Sequence, residues 1–243
     1  METELLISML AWFLGSFVCG LCGLGAAIIA MPFMILVLPV QTVTMVSCLT
    51  ALGLTGAMAL QYMRYCRKKT VLWMALGAVP GALTGVQVLQ NVSEHVLELG
   101  IGVLIIFCVA GMQFFQNRLK IRERTAYSLL TGFLGGLVGT CVTIDGPVVA
   151  IYGLLAGWNP QLFLGTTSLF FFLRSIVSCS VQWSAGLYTE QILTYALWCL
   201  PLSLLGFYLS VPLLRRINVA FFRSVVKVII VFAGCLCLYK GLA

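Results

Sequence analysis

The chain has 243 residues, of which 61% are hydrophobic and 9% charged, with a formal net charge of +7. Soluble domains carry about 25% charged residues, so a soluble globular fold is excluded. The basic surplus does not point to nucleic acid, because the arginines and lysines lie at the ends of apolar segments, where membrane orientation requires them.

In chain order, Met1 to Glu4 is a short acidic end; METELLIS lacks a basic n-region and a small-residue cleavage site, so it reads as mature sequence. A first tract, 5–38, is apolar but broken by Gly15, Gly20, Gly23 and Gly25 before Pro32 and Pro39. Apolar segments near the roughly 20 residues of a spanning helix follow at 42–62, 71–89 and 96–116. The cluster Arg64 to Lys69 separates the first two, and a loop with Glu94 and His95 precedes the third. Residues 118–124, with Arg118, Lys120, Arg122 and Arg124, form a basic linker at mid-chain. A second broken tract, 126–156, contains Thr143-Ile144-Asp145-Gly146-Pro147 between two apolar arms, and three more apolar segments complete the chain at 162–182, 191–211 and 221–240.

The halves repeat. A shift of 121 superposes Pro160 on Pro39, Ser168 on Ser47, Gln182 on Gln61, Pro201 on Pro80 and Gly206 on Gly85. Before that point a shift of 116 aligns Phe133, Gly136, Leu137 and Gly139 with Phe17, Gly20, Leu21 and Gly23. Equivalent loops carry opposite charge signatures: basic 64–69 corresponds to 185–190, which has no basic residue, and 91–98 corresponds to basic 212–216. Because basic loops face the cytoplasm, the repeats are expected to be inverted. The expected fold is an all-α polytopic membrane protein of two inverted repeats, 1–117 and 125–243, joined by 118–124. Each has one broken or re-entrant tract plus three transmembrane helices, about 8–10 membrane helices in all. Residues 64–69, 118–124 and 212–216 are then cytoplasmic, and 91–95, 185–190 and both termini external.

Broken helices at corresponding places in two halves mark a transporter's substrate site, and their N-termini offer N–H donors to anions. Arg174 lies mid-segment, where a charge costs at least ~2.5 kcal/mol. It is expected either to grip an anion through its planar fork or to make a structural pair with Asp145 or with backbone carbonyls. Asp145 has three open roles: capping the short helix at Pro147, pairing with Arg174, or titrating. Around them Gly25, Gly146 and Thr143 belong to the breaks, and Ser47, Thr167 and Ser168 lie near the ends of adjacent helices with hydroxyl donors. The ten cysteines fall almost wholly inside apolar segments and read as small apolar residues; no metal, cofactor or catalytic constellation is expected. The expected partners are a small anion, a coupling proton or sodium ion, and the lipid bilayer, with no nucleic acid. An anion channel of the same architecture, or a membrane assembly protein that binds a partner through its loops, are the rival readings.

GFLGGLVGTCVTIDGPVVAIYGL resembles the second-repeat signature of TauE/SafE-type sulfite exporters, the 4-toluene sulfonate uptake permease family, and GSFVCGLCGLGAAIIAMPFMIL is similar to the matching first-repeat signature. The chain departs from the pattern at Gly25-Ala26-Ala27, where a glycine triplet is usual, and at Asp145, where glycine is usual. The resemblance extends over nearly the whole chain. It implies an inner-membrane permease for sulfite, a sulfonate or a related sulfur-containing or organic anion.

Overall fold

The computed structural model describes residues 2–23, 25–93, 95–97, 99–101, 103 and 123–213. The expected helix 221–240, the basic loop 212–216 beyond Leu213, most of the linker 118–124 and most of the expected helix 96–116 lie outside the described residues. The described chain is helical, with no strand, as an apolar setting demands: without water, backbone N–H and C=O groups must satisfy one another within a helix.

The first tract becomes α1 (Glu2–Cys22) and the short α2 (Ala26–Ile35), followed by α3 (Val40–Tyr62), a single 3-10 turn at Met63–Tyr65, and α4 (Lys68–Asn91). The second becomes α5 (Thr125–Val142) and the short α6 (Gly146–Leu155), followed by α7 (Pro160–Ser184) and α8 (Glu190–Leu213). Among the described residues six helices, α1, α3, α4, α5, α7 and α8, are long and apolar enough to span a bilayer. At 1.5 Å per residue, the ten residues of α2 and of α6 reach only about 15 Å, half the ~30 Å hydrocarbon core. Each broken tract is thus one full-length helix followed by a half-length one.

The packing interleaves the two halves of the sequence. α4 lies along α5, and α1 lies along α8. Both pairs run parallel: Gly77, Gly81 and Gly85 meet the carbonyls of Leu129, Phe133 and Leu137 in ascending order, while Glu4 bonds Tyr195 and Ser16 bonds Ser203. On the α4–α5 seam, Gly132 and Gly136 answer with the backbone of Met74 and Ala78, so a Cβ at any of these five glycines would collide with main chain. Small residues permit this approach, and in lipid such close packing replaces the missing hydrophobic drive between helices. α3 and α7 cross antiparallel at the centre, with Gly165 against the Tyr62 carbonyl at one end and Gln182 on Cys48 at the other.

The outward faces of the long helices carry exposed apolar side chains such as Leu60, Leu197 and Trp198, which suits contact with lipid rather than water. The main core gathers α1, α2 and α3 around Trp12, Met31, Met34, Leu54 and Met58. Arg67, Glu123 and Trp158 bring three connecting segments together: the start of α4, the segment before α5 and the α6–α7 loop.

Candidate functional site

The first break needs glycine. Gly23 and Gly25 adopt φ of +80° and +103°, a region open to glycine without a Cβ penalty. Gly25 occupies the N-cap position of α2, whose first residues Ala26, Ala27 and Ile28 line an interior chamber. The second break is made differently. α5 ends on Thr143 at φ 56°, the one non-glycine with positive φ among the described residues. A β-branched residue is costly there. Contacts to the carbonyl of Thr44 (3.4 Å) and to Cys48 Sγ (3.5 Å) hold its hydroxyl. Asp145 then precedes α6, with Pro147 in the first turn, where its missing N–H costs nothing.

Both breaks open on one chamber of about 50 Å³. A water needs roughly 10–15 Å³ on this measure, so the space suits a few waters or one small polyatomic anion. Gly23, Gly25, Thr143, Asp145, Gly146 and Arg174 line it, and apart from Thr55 the rest of its wall is largely apolar, with Trp12, Leu54, Met58 and Phe171. The first turns of α2 and α6 both border the chamber, so two positive helix ends act on the same volume.

Arg174 is 2% exposed and Asp145 4% exposed. Arg174 Nη2 donates to Asp145 Oδ1 at 3.2 Å and Nη1 donates to the Gly139 carbonyl at 3.3 Å. Nε lies 2.9 Å from Oδ2 as a charge contact but is not aligned as a hydrogen bond. Asp145 makes no capping bond to the first turn of α6; its carboxylate is turned to the guanidinium instead. A Cβ on Gly139 would lie 2.9 Å from Arg174 Cζ, so the guanidinium occupies the space that glycine leaves.

Of the eight residues singled out from sequence, Arg174, Asp145, Gly146, Gly25 and Thr143 come together around the chamber. Ser47, Thr167 and Ser168 are buried but are not among its lining residues. Thr167 and Ser168 donate back to carbonyls of their own helix, Phe163 and Leu164, and Ser47 Oγ has no hydrogen-bond partner. Three residues were not singled out. Trp12 borders the chamber, fully buried, and its Nε1 is without a partner. Gly139 seats the arginine, and its alignment with Gly23 in the repeat was the available signal. Glu123 accepts from Trp158 Nε1 (2.6 Å), Thr70 Oγ1 (3.1 Å) and Arg67 Nη1 outside the spanning helices. Burial alone would raise its carboxyl, but the three donors outweigh that and hold it below the ordinary carboxylate range.

Among the described residues no group of three His, Cys, Asp or Glu side chains is placed to hold a metal ion. No curated protein and no solved structure matches the chain. The family model described as Sulfite exporter TauE/SafE matches residues 8–236. The match covers both breaks and every residue that lines the chamber, and the chain belongs to the TauE/SafE sulfite exporter family, a family of membrane transporters.

Proposed function

We propose that the protein is a secondary transporter of a small sulfur-containing or organic anion, such as sulfite or an organosulfonate, working by alternating access. The family match implies a membrane transporter of sulfur anions such as sulfite. The observation that carries the finer reading is the shared chamber, where two helix breaks and one buried arginine converge on a volume fit for one small anion.

In this reading residues 1–117 and 125–243 are inverted repeats joined by the cytoplasmic linker 118–124, in a bacterial-type inner membrane with both termini external. Three packing facts support it. Equivalent helices α3 and α7 run antiparallel, whereas α4 and α5, and α1 and α8, run parallel. That combination fits inversion, which requires equivalent helices to oppose each other: α3 and α7, α4 and α8, α1 and α5. The contact of Arg67 with Glu123, which joins the loop before α4 to the segment before α5, also accords with it.

The chemistry follows from charge. With the chamber empty of substrate, Arg174 and Asp145 neutralise each other. An entering anion competes with the Asp145 carboxylate for the guanidinium, whose planar fork matches sulfite or sulfonate oxygens. The first turns of α2 and α6 add N–H donors. Arginine, aspartate and a singly charged anion together leave one uncompensated negative charge in an apolar chamber, which is costly. A proton taken up by Asp145 restores neutrality, and so couples anion movement to a proton; a sodium ion is the alternative coupling ion.

The experiment is flux into liposomes carrying the purified protein, with a panel of sulfite, thiosulfate, sulfonates and carboxylates. Saturable uptake with counterflow by a sulfur-containing anion is expected, with pH dependence lost in Asp145→Asn. Unsaturable flux without counterflow would make it a channel. No flux of any anion in the panel would favour an assembly role and remove the transport reading.

A further inference from the structure

Beyond the chamber, a chain of buried polar groups leads to a loop. Thr143 borders the chamber, and its Oγ1 lies 3.5 Å from Cys48 Sγ. Gln182 Nε2 donates to the same sulfur at 3.5 Å and to the Thr140 carbonyl at 3.1 Å. Tyr188, half-buried in the α7–α8 loop, donates its hydroxyl to Gln182 Oε1 at 2.7 Å. Thr44, Cys48, Thr140 and Gln182 are all 0% exposed.

A continuous polar column through an apolar bundle is costly unless its members bond one another, and this one is closed bond to bond. It draws on α3, α5 and α7 together and ends at the far end of α7 from the Arg67–Glu123 face. Gln61, the repeat counterpart of Gln182, is exposed at the end of α3. The burial of Gln182 is therefore specific to this side and not a demand of the repeat.

We infer that Cys48, Gln182 and Tyr188 form the closed gate on the α7–α8 loop side of the anion's path. This rests on the transport reading. Opening parts the Tyr188–Gln182 hydrogen bond and brings the Cys48 thiol to water, where Thr143, Cys48 and Gln182 line the second half of the path. Polar groups that bond one another when shut and an anion or water when open give two satisfied states; an apolar plug would be satisfied in one.

The test uses Cys48 itself. In a variant whose other nine cysteines are replaced by serine or alanine, an impermeant anionic methanethiosulfonate is added to either side of oriented vesicles. Its sulfenyl sulfur is attacked by the Cys48 thiolate, forming a mixed disulfide and releasing methanesulfinate. A second variant retaining only Cys66 marks the opposite face. Expected is slow labelling of Cys48 from the face of residues 185–189, accelerated about tenfold by Tyr188→Phe. Should the cysteine-depleted variant not fold, the full chain serves: reagent added on that face should inhibit its anion flux, and Cys48→Ala should resist, each measured against its own untreated flux. Flux without Cys48 modification, modification from the Cys66 face, or indifference to Tyr188→Phe would overturn the gate and leave transport standing. Absence of flux across the whole anion panel would remove the transport reading, and the gate with it.

Discussion

Removing one partner of the Asp145–Arg174 pair isolates the charge that both stability and binding depend on. The two groups are 4% and 2% exposed with Nε and Oδ2 2.9 Å apart. Deleting one member of such a buried pair costs about 3–5 kcal/mol, because the other charge is left uncompensated. For chains of this size one kcal/mol moves the melting temperature by roughly 2–4 °C, so Arg174→Gln should lower it by roughly 6–20 °C. Asp145→Asn should cost less, since the Gly139 carbonyl still accepts from the guanidinium at 3.3 Å. The double variant, with two neutral amides, should recover roughly 1–3 kcal/mol relative to the sum of the singles. Binding should not recover with it. If the guanidinium holds the anion, Arg174→Gln and the double variant both lose roughly ten- to a hundred-fold in affinity, and Arg174→Lys regains only part. The assay is thermal unfolding of purified protein with and without anion, beside flux. Additive melting losses would show that the pair carries no coupling energy. Full substrate protection of Arg174→Gln against heat would refute the anion-site assignment.

Gly139→Ala should push the guanidinium off its seat and reduce flux at least several-fold. Gly100→Ala, where a Cβ meets nothing within 4 Å, should leave flux unchanged, and equal flux in the two would count against the seat. Trp12→Phe removes a buried N–H that has no partner. An unsatisfied donor costs ~1–3 kcal/mol, so the anion-free protein should hold or gain melting temperature while affinity falls about tenfold; a joint fall of both would indicate packing alone. Glu123 is held below its ordinary value of 4.5. Its contribution is complete above that value and is lost as pH falls through the depressed folded value. The melting-temperature gap between wild type and Glu123→Gln should therefore stay constant at neutral pH and close on acidification, and a gap that widened in acid would contradict the assignment.

The breaks and the arginine were legible because each violates the rule of its surroundings. Glycine and proline interrupt runs that lipid would keep helical, and Arg174 puts a charge where apolar residues are expected. How each tract divides is open in the sequence between two crossings and a re-entrant arm; the full-length helix followed by a half-length one is read from the structure. What the hydroxyls would do was not legible. Ser47, Thr167 and Ser168 are as polar as Thr143, but a membrane helix lets a hydroxyl bond its own preceding turn, as Thr167 does to Phe163. Only the tertiary approach of other helices decides which hydroxyls face a chamber. Trp12 and Gly139 escaped for the same reason: an indole and a glycine are ordinary in an apolar helix until a cavity or a guanidinium lies beside them. Glu123 escaped because orientation is read from basic residues, and acids weigh little in that rule.

The five glycines of the α4–α5 seam constrain how the molecule can change shape. At each of the five the nearest atom to an added Cβ is a main-chain carbonyl oxygen of the other helix, so no side chain stands between the two backbones to absorb a displacement at these points. A hinge or sliding plane cannot run between these helices without opening a void for which no neighbour has atoms. The α1–α8 seam, tied by Ser16 to Ser203 and by Glu4 to Tyr195, joins the other two outer helices in the same sense. The close-packed pairs therefore do not coincide with the halves of the sequence: one joins the end of the first half to the start of the second, the other the start of the first to the end of the second. In the transport reading, motion is then left to the antiparallel α3–α7 crossing and the two half-length helices, all four of which line the chamber.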